Sequence, residues 1–200
     1  MTPKSTKINL ENIIKLLNNF IRISDQDSSF FLSKLVEEKI KANTILIMEN
    51  QKTRKLYFIK NGLLRTYFLS DGKDISTYFA CDNQLITSYA SFLTQKPSFE
   101  YLETIEDSIL YSITYENLLE VYRLNTKFEG FGKILAEQNY LCLIERTYYL
   151  QAMQAKEKYL YFIEKYDKRI MLNVPQKHIA SYLGITPETL SRVRKEISIS

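Results

Sequence analysis

Hydrophobic and polar positions follow two different periods along the chain. Between residues 8 and 20 the apolar side chains recur at helical spacing, and a second short helix is predicted from about Asp27 to Val36. From Lys39 onward the pattern changes to short runs rich in β-forming residues. Six strands are predicted there: Thr44–Met48, Lys55–Ile59, Leu63–Leu69, Ile75–Ala80, Phe99–Thr104 and Ile109–Ile113.

Turn-forming residues separate these runs. Residues 60–62 and 70–73 place Gly62 and Asp71-Gly72 where a hairpin needs positive φ. Short strands joined by hairpin turns about every ten residues are typical of a jelly-roll barrel. The predicted fold class is therefore α+β, with an N-terminal jelly-roll-type β-barrel followed by helices.

Helical spacing returns at Thr114, a predicted N-cap, and continues to Asn125. A long helix is then predicted from Phe128 to Lys156, because apolar residues recur at intervals of three and four: Phe131, Ile134, Leu135, Leu141, Ile144, Tyr148 and Met153. Gln138 and Glu145 fall in the seam of one heptad frame, so an ideal coiled coil is not predicted. This helix either contacts its copy in a homodimer or packs only on its own barrel.

The C-terminal part contains a run with helix-turn-helix spacing, from Gln176 to Lys195: QKHIASYLGITPETLSRVRK. Ala180 is small where a second helix would cross closely, and Gly184 supplies the positive φ that turns the chain. A shared apolar face is predicted for Ile179, Leu183, Ile185, Leu190 and Val193. The alternative is an ordinary helical hairpin whose charged edge is only solvated.

The second helix of this unit is the predicted DNA-reading element. Thr186 is an N-cap candidate, Pro187 suits the first helical position, and Glu188 lies at the positive end of the helix dipole. Five residues on its outward side would enter the major groove: Pro187, Glu188, Ser191, Arg192 and Lys195. Arg192 can bind guanine O6 and N7, and Glu188 can accept from a cytosine amino group. Phosphate contacts are assigned to Thr186, Thr189, Ser191, Lys195 and the backbone N–H of Gln176.

Charge and composition narrow the function further. The net charge of +4 lies entirely in the C-terminal third, since residues 1–132 carry 16 basic and 16 acidic side chains and residues 133–200 carry 11 and 7. A neutral part joined to a basic part is typical of a sensor joined to a nucleic-acid binder. One histidine, His178, is too few for a multi-histidine metal site or most acid/base pairs, so we expect no enzyme.

The number of cysteines indicates the redox state and metal binding of the protein, and the N-terminal residues indicate its location. Cys81 and Cys142 are expected to be reduced, buried thiols, because two isolated cysteines cannot form a disulfide framework or a cysteine-rich zinc site. Residues 1–7 lack the apolar core of a signal peptide, and no apolar stretch approaches a membrane span. We therefore expect a cytoplasmic protein that makes no membrane contact.

The sequence resembles the Crp/Fnr family of bacterial transcription regulators over nearly its whole length. Residues 56–65 are similar to the family's strand–turn–strand with a glycine, residues 71–74 to its following hairpin, and residues 179–193 closely to its helix-turn-helix. The resemblance implies a cyclic-nucleotide-binding-type barrel, a dimerisation helix and a winged helix-turn-helix domain. We expect these at residues 1–125, 126–156 and 157–200.

The effector region departs from the family pattern. Thr87-Ser88 stands where cyclic-nucleotide binders carry Gly-Glu for the ribose, and residues 97–100 lack the arginine that neutralises the cyclic phosphate. Glu100 would instead repel a phosphate. The resemblance therefore implies no cyclic-nucleotide gating here. Two cysteines are too few for the iron–sulfur branch of the family, and a haem branch would have only His178. No cofactor and no metal are predicted.

Two further departures concern the DNA-binding end. Pro187 stands where some family members read a guanine with an arginine, so the operator should differ. Because the sequence ends at Ser200, we expect no wing hairpin after the second helix.

Three hypotheses follow. The first is a sequence-specific DNA-binding transcription regulator whose partners are double-stranded DNA, a second copy of the chain, RNA polymerase, and an unknown small-molecule effector or none. The second is a ligand-binding or partner-docking protein with a degenerate helix-turn-helix, which should lack Arg192, Arg194 and Lys195. The third, a jelly-roll metalloenzyme, would need a His/Glu ligand cluster that the sequence lacks.

Overall fold

The computed structural model describes residues 11–18 and 21–199. Helix α1 covers Glu11–Asn18, so residues 8–10 and 19–20 of the predicted first helix lie outside the described part. Helix α2 covers Asp25–Ser33 and begins with a capping box, in which the Ser24 hydroxyl accepts from the Asp27 N–H and the Asp27 carboxylate accepts from the Ser24 N–H.

Two four-stranded antiparallel sheets form the N-terminal β-sandwich, with strand orders β1-β8-β3-β6 and β2-β7-β4-β5. The strands are β1 (Val36–Ile40), β2 (Ile45–Ile47), β3 (Lys55–Asn61), β4 (Leu63–Ser70), β5 (Lys73–Cys81), β6 (Leu85–Ile86), β7 (Tyr101–Thr104) and β8 (Ser108–Thr114). The predicted jelly-roll-type architecture is confirmed. All six predicted strands are present, as β2, β3, β4, β5, β7 and β8.

Strand β1 was not predicted, because its centre is charged. Glu37 accepts from the Tyr111 hydroxyl at 2.9 Å and pairs with Lys60, while Glu38 pairs with Lys55 at 2.9 Å. These partners lie on β3 and β8 and become available only when the sheet forms. The predicted extension of the second helix to Val36 is therefore wrong, since Val36 already belongs to β1.

Both predicted turns have the expected positive φ, but only the second is a hairpin, because β3 and β4 on either side of Gly62 lie in different sheets. Asp71 and Gly72 both have positive φ, at 50° and 74°, as a tight hairpin between β4 and β5 requires. Gly62 has a φ of 142°, and a Cβ added there would lie 2.2 Å from the Ser108 Oγ. Glycine is thus required at position 62 by both conformation and close packing.

The segment between β6 and β7 differs from the prediction. It contains a short helix, α3 (Tyr89–Thr94), and Phe99 precedes β7 and is 57% exposed instead of starting the strand. Gln95 ends α3 in the left-handed conformation and its side chain donates to the Phe92 carbonyl at 2.7 Å. This local hydrogen bonding has no hydrophobic period, which explains why the pattern did not reveal it.

Six helices follow the sandwich within the described residues. They are α4 (Tyr115–Leu124), α5 (Thr126–Ala152), α6 (Ala155–Lys165), α7 (Lys168–Asn173), α8 (Gln176–Leu183) and α9 (Pro187–Ile199). Thr114 caps α4 by accepting from the Asn117 N–H, as predicted. The long helix ends at Ala152 and not at Lys156, because Met153 is extended and Gln154 begins α6 with a capping box.

One hydrophobic core joins the sandwich to the C-terminal helices. It combines Leu63, Phe79 and Cys81 of the sheet with residues from α5 to α9, including Tyr149, Phe162, Ile179, Tyr182 and Leu190. Phe79 is fully buried and its ring lies 5.4 Å from that of Tyr182. Both cysteines are free thiols; Cys81 is buried as expected, whereas Cys142 on α5 is partly exposed. None of the described helices is long and apolar enough to cross a membrane.

Because this core is shared, removing the Phe79 ring should destabilise both halves together. We expect Phe79→Ala to lower the free energy of unfolding by about 3–5 kcal/mol, with the sandwich and the helices still unfolding in one transition in a urea titration followed by circular dichroism and tyrosine fluorescence. The control is Phe99→Ala, an exposed aromatic, which should change the free energy by less than about 0.5 kcal/mol. Two separated transitions in the wild type would contradict the shared core.

Candidate nucleic-acid interface and sensor site

Helices α8 and α9 form the predicted helix-turn-helix. Gly184 has a φ of 64°, and its N–H donates to the Ala180 and Ser181 carbonyls to end α8. Ala180 is fully buried, in the same hydrophobic core as Leu190 and Val193 of α9. Of the predicted shared apolar face, Ile179, Leu183, Leu190 and Val193 are buried, and Ile185 is partly buried. The steric reasoning on Ala180 and Gly184 therefore holds.

The start of α9 has the predicted capping geometry. The Thr186 hydroxyl accepts from the Thr189 N–H at 3.2 Å, and Pro187 is the first helical residue. The backbone N–H of Glu188, followed by the Thr186 hydroxyl, holds the pKa of the Glu188 carboxyl below its usual range. Glu188 is thus a fully exposed carboxylate at the positive end of the helix.

Most of the residues predicted to contact DNA are exposed to solvent. Thr189 is partly buried. The exposed ones are Gln176, Thr186, Pro187, Glu188, Ser191, Arg192 and Lys195. Arg194 instead points back to α6, with its guanidinium carbon 5.9 Å from the centre of the Tyr159 ring. The protein's own sandwich therefore leaves the outward face of α9 accessible.

The face of α8 that carries Ser181 packs on strand β5, and the sequence did not predict this contact. The Ser181 hydroxyl accepts from the Ser76 N–H at 2.9 Å and donates to the Asp74 carbonyl at 2.8 Å. Since β5 is the edge strand of its sheet, Ser181 takes the place of a neighbouring strand there.

Arg146 of α5 forms hydrogen bonds to the same free edge of β5. Its guanidinium donates to the carbonyls of Thr77 at 2.6 Å, Ser76 at 3.1 Å and Tyr182 at 3.4 Å, and it stacks on the Tyr182 ring. Each of these acceptors is a backbone carbonyl, so no charge pattern in the sequence could have identified them.

A buried ion cluster lies beneath this contact. Arg65, almost fully buried, donates to Asp74 through two nitrogens, to Glu103 at 2.6 Å and to the Ser76 hydroxyl at 2.9 Å. His178 of α8 lies 3.8 Å from Asp74. Burial, followed by the charge of Arg65, lowers the pKa of His178 to about 4, so the imidazole is neutral at physiological pH. His178 therefore serves the contact between halves and not the DNA face.

Arg169 of α7 and three tyrosine hydroxyls form further polar contacts around the boundary between the sandwich and the C-terminal helices. Arg169 pairs with Asp82 at 2.7 Å and with Glu106 at 2.5 Å, both on the sandwich. The Tyr182 hydroxyl bonds those of Tyr149 at 2.6 Å and Tyr166 at 2.8 Å. The helix-turn-helix is thus positioned by polar contacts on both sides of a shared apolar core.

The predicted effector region contains a row of hydroxyls around Glu100. Its carboxylate accepts from the Thr77 hydroxyl at 2.9 Å and the Ser88 hydroxyl at 3.2 Å. Ser88 precedes α3 but its side chain does not cap that helix. Burial is the main cause that raises the pKa of Glu100 above its usual value. Ser98, in the stretch where the family carries its arginine, contributes only a hydroxyl, bonded to that of Ser88 at 2.8 Å.

Helix α5 presents an apolar surface on the side away from the sandwich. Tyr140, Leu141, Ile144 and Tyr148 lie within one helical face and are each more than half exposed. Glu145, which the sequence placed in a heptad seam, instead turns to α6, where it pairs with Lys165 and accepts from the Tyr161 hydroxyl at 2.9 Å. In the part of the chain that is described, no cluster of His, Cys, Asp and Glu is arranged to hold a metal ion.

Residues 37–125 match the family model of the cyclic nucleotide-binding domain. This region contains all of the sandwich except the first residue of β1, together with α3 and α4. No curated protein sequence matches the chain.

Solved structures with the same fold span nearly the whole chain. FixK2 from Bradyrhizobium japonicum has a TM-score of 0.75 at 18% identity, covering 82% of this chain and 85% of its own. A proposed transcriptional regulator of the crp/fnr family from Eubacterium rectale has a TM-score of 0.68 at 21% identity, covering 92% and 86%. The c-di-GMP responsive global regulator CLP of Xanthomonas campestris has a TM-score of 0.68 at 14% identity, covering 88% and 92%. The chain therefore has the fold found in Crp/Fnr regulators.

The partly buried carboxylate of Glu100 should make the stability of the protein depend on pH. Since its pKa is raised on folding, its ionised form disfavours the folded state at pH values above the raised pKa, and this effect disappears below the ordinary value of 4.5. Glu100→Gln should therefore gain stability relative to the wild type as pH rises from 4 to 8. The measurement is the free energy of unfolding in urea across that range, with the exposed Glu116→Gln as the control; a difference independent of pH would contradict the assignment.

Proposed function

We propose that this protein is a sequence-specific DNA-binding transcription regulator that acts as a homodimer and is not gated by cyclic nucleotide. The observation that carries the proposal is the outward face of α9. This helix buries Leu190 and Val193 against α8 and keeps Glu188, Ser191 and Arg192 exposed on its N-terminal half. Recognition helices present the same part of their surface to the major groove.

Base reading is assigned to Arg192 and Glu188. Arg192 is exposed, and its guanidinium fits guanine O6 and N7, while the ionised Glu188 suits a cytosine amino group. Pro187 offers no side-chain donor to a base. Phosphate contacts are assigned to Thr186, Thr189, Ser191, Lys195 and the Gln176 N–H, since Gln176 is the first residue of α8 and the others lie at the start or along the exposed side of α9.

The dimer is assigned to the apolar face of α5. Four large side chains on a helix that already packs its other face on the sandwich leave a surface suited to a second copy of the same helix. Two recognition helices must lie about 34 Å apart to meet successive major grooves, and a two-fold axis along α5 would supply the symmetry that this requires. The operator is then a near-palindrome. The alternative in which α5 packs only on its own sandwich leaves this face unexplained.

The absence of cyclic-nucleotide gating is proposed from the polar groups around Glu100. A cyclic phosphate entering this region would lose its hydration beside a carboxylate. Arg146 is the cation whose charge acts on Glu100, but its guanidinium is bonded to three backbone carbonyls. The domain would then be tuned to another ligand or be structural. RNA polymerase as a partner and the cytoplasm as the location are proposed only because a transcription regulator would require them.

A partner-docking protein with a degenerate helix-turn-helix remains the second candidate. The hydrogen bonds that hold α8 on β5 favour this second candidate, because they give the helix-turn-helix a structural role that does not require DNA. The exposure of Arg192 and Lys195 on α9, a helix whose first turn is capped by Thr186, favours DNA binding instead.

Dimerisation should depend on the centre of the α5 face. Ile144→Glu places two carboxylates near the two-fold axis, so we expect the dimer dissociation constant to rise at least about tenfold, equivalent to ~1.4 kcal/mol. Light scattering and sedimentation at micromolar protein would measure it. Leu172→Glu is the matched control, because Leu172 on α7 is even more exposed, at 78%. A monomeric wild type, with and without operator DNA, would remove the claim.

Base reading and phosphate binding should separate in two variants. Arg192→Ala should cost ~1–3 kcal/mol on the specific operator and much less on random DNA, since its contact is with a base edge. Lys195→Ala should weaken both about equally and reduce the salt dependence by about one unit of slope. Genome-wide mapping and a footprint define the operator, and fluorescence anisotropy at fixed salt gives the affinities. Equal losses for Arg192→Ala on both DNAs would show that the base-reading role is misassigned.

A further inference from the structure

Helix α8 lies along strand β5 and runs in the same direction. In the first turn of α8, His178 lies 3.8 Å from the Asp74 carboxylate near the start of β5. One turn later the Ser181 hydroxyl donates to the Asp74 carbonyl at 2.8 Å, and the Tyr182 ring lies 5.4 Å from that of Phe79, further along β5. The β4–β5 hairpin, which immediately precedes Asp74, is therefore beside the start of α8.

Two lysines lie where the hairpin and the helix start meet. Lys73 is the first residue of β5 and pairs with Ser70 of β4 across the turn, and Lys177 lies in the first turn of α8. Both lysines are exposed, and neither forms a salt bridge with a residue that the structure describes. Their ammonium groups are thus available to a partner.

Of the two carboxylates on this hairpin, one is already neutralised. Asp74 accepts from two nitrogens of Arg65, at 2.6 and 2.5 Å. Asp71 is exposed at the turn and has no salt bridge to any described residue. This end of the sandwich therefore presents two available ammonium groups against one available carboxylate, a balance that attracts a polyanion.

The proposed DNA face begins at the same place. Gln176, whose N–H is assigned to a phosphate, is the first residue of α8 and directly precedes Lys177. A duplex that meets this N–H also passes the hairpin, because Lys73 precedes the residue to which α8 is bonded. DNA carries one charge per ~1.7 Å of its axis, so an ammonium on a flexible stem can reach a phosphate there.

We infer that Lys73 of the β4–β5 hairpin, together with Lys177, binds the DNA backbone, so that the sandwich itself contributes a phosphate contact beside the helix-turn-helix. This deepens the proposed function and rests on it, because it adds a contact to the same DNA face. The partner is the phosphate backbone, so the contact adds affinity without reading sequence. The hydrogen bond between Ser181 and Asp74 holds the hairpin in place for it.

The first test measures the salt dependence of DNA binding by the full chain. Fluorescence anisotropy follows binding to operator and random duplexes from about 50 to about 200 mM salt. Lys73→Gln should weaken binding to both DNAs and lower the salt slope by about 0.9, so that over this range the wild type loses about 3.5-fold more affinity than the variant. Lys73→Arg should keep the wild-type slope. Lys39→Gln, at an exposed lysine on β1 of the other sheet, is the matched control and should change neither quantity.

A charge change of opposite sign should have the opposite effect. Asp71→Asn removes the available carboxylate of the hairpin, and asparagine tolerates the positive φ of 50° at this position. We expect this variant to bind both DNAs more tightly than the wild type. Weaker or unchanged binding would contradict a hairpin that lies against the duplex.

Backbone cleavage locates the contact independently of affinity. Lys73→Cys, in a chain whose partly exposed Cys142 is replaced (Cys142→Ser), carries an iron–EDTA group that cuts neighbouring DNA when ascorbate and peroxide are added; Cys81 is buried. We expect cuts at fixed positions in each half-site from Lys73→Cys and none from Lys39→Cys.

The outcomes separate this inference from the proposed function. If the wild type binds DNA while Lys73→Gln keeps the full salt slope, loses no more affinity than Lys39→Gln, or Lys73→Cys gives no cuts, the inference is overturned and the proposed function stands. If the wild type binds neither DNA, both are overturned.

Discussion

Strand β5 is an edge strand, and the polar groups on its free side need partners wherever they are shielded from water. Ser181 of α8 and Arg146 of α5 supply them, by bonding the Ser76 N–H and the carbonyls of Asp74, Ser76 and Thr77. An unpaired strand edge would otherwise be a template for pairing with another chain. The helix-turn-helix therefore takes its position from the backbone of the sandwich and not only from apolar packing.

This arrangement divides the surface of α8 and α9 between two tasks. The residues that contact the sandwich, His178, Ser181 and Tyr182, recur at the three- and four-residue spacing of one helix face, and they leave the outward side of α9 exposed. A neutral His178 suits this contact, because a charged imidazole would meet the guanidinium of Arg65. Attachment to the sandwich and an accessible outward face of α9 are thus compatible in one short unit.

Strand β5 also connects this attachment to the carboxylate of Glu100. Thr77 places its carbonyl on Arg146 and its hydroxyl on Glu100, so the two contacts share one residue of β5. The charge of the Arg146 guanidinium, which holds α5 and α8 on this edge, therefore also acts on Glu100.

The sequence by itself determined the parts that depend on local periodicity and on special residues. Gly184, Thr186 and Pro187 specify the helix-turn-helix because they act on their own backbone, and the Asp71-Gly72 hairpin is determined in the same way. The strands of alternating burial and the long α5 helix follow from hydrophobic period alone. Strand β1, helix α3 and the end of α5 were missed or misplaced because ion pairs and capping bonds define them.

Only the tertiary structure decided which residues meet across the chain. Ser181 and Arg146 bond backbone groups more than sixty residues away, and those acceptors carry no side-chain signature. The sequence identified Glu100 as a charge unsuited to phosphate, but its two hydroxyl donors and its missing salt bridge became visible only when β5, α3 and β7 came together. Local conformation is fixed by each residue's own backbone preferences, whereas a polar contact depends on the geometry that the whole fold imposes.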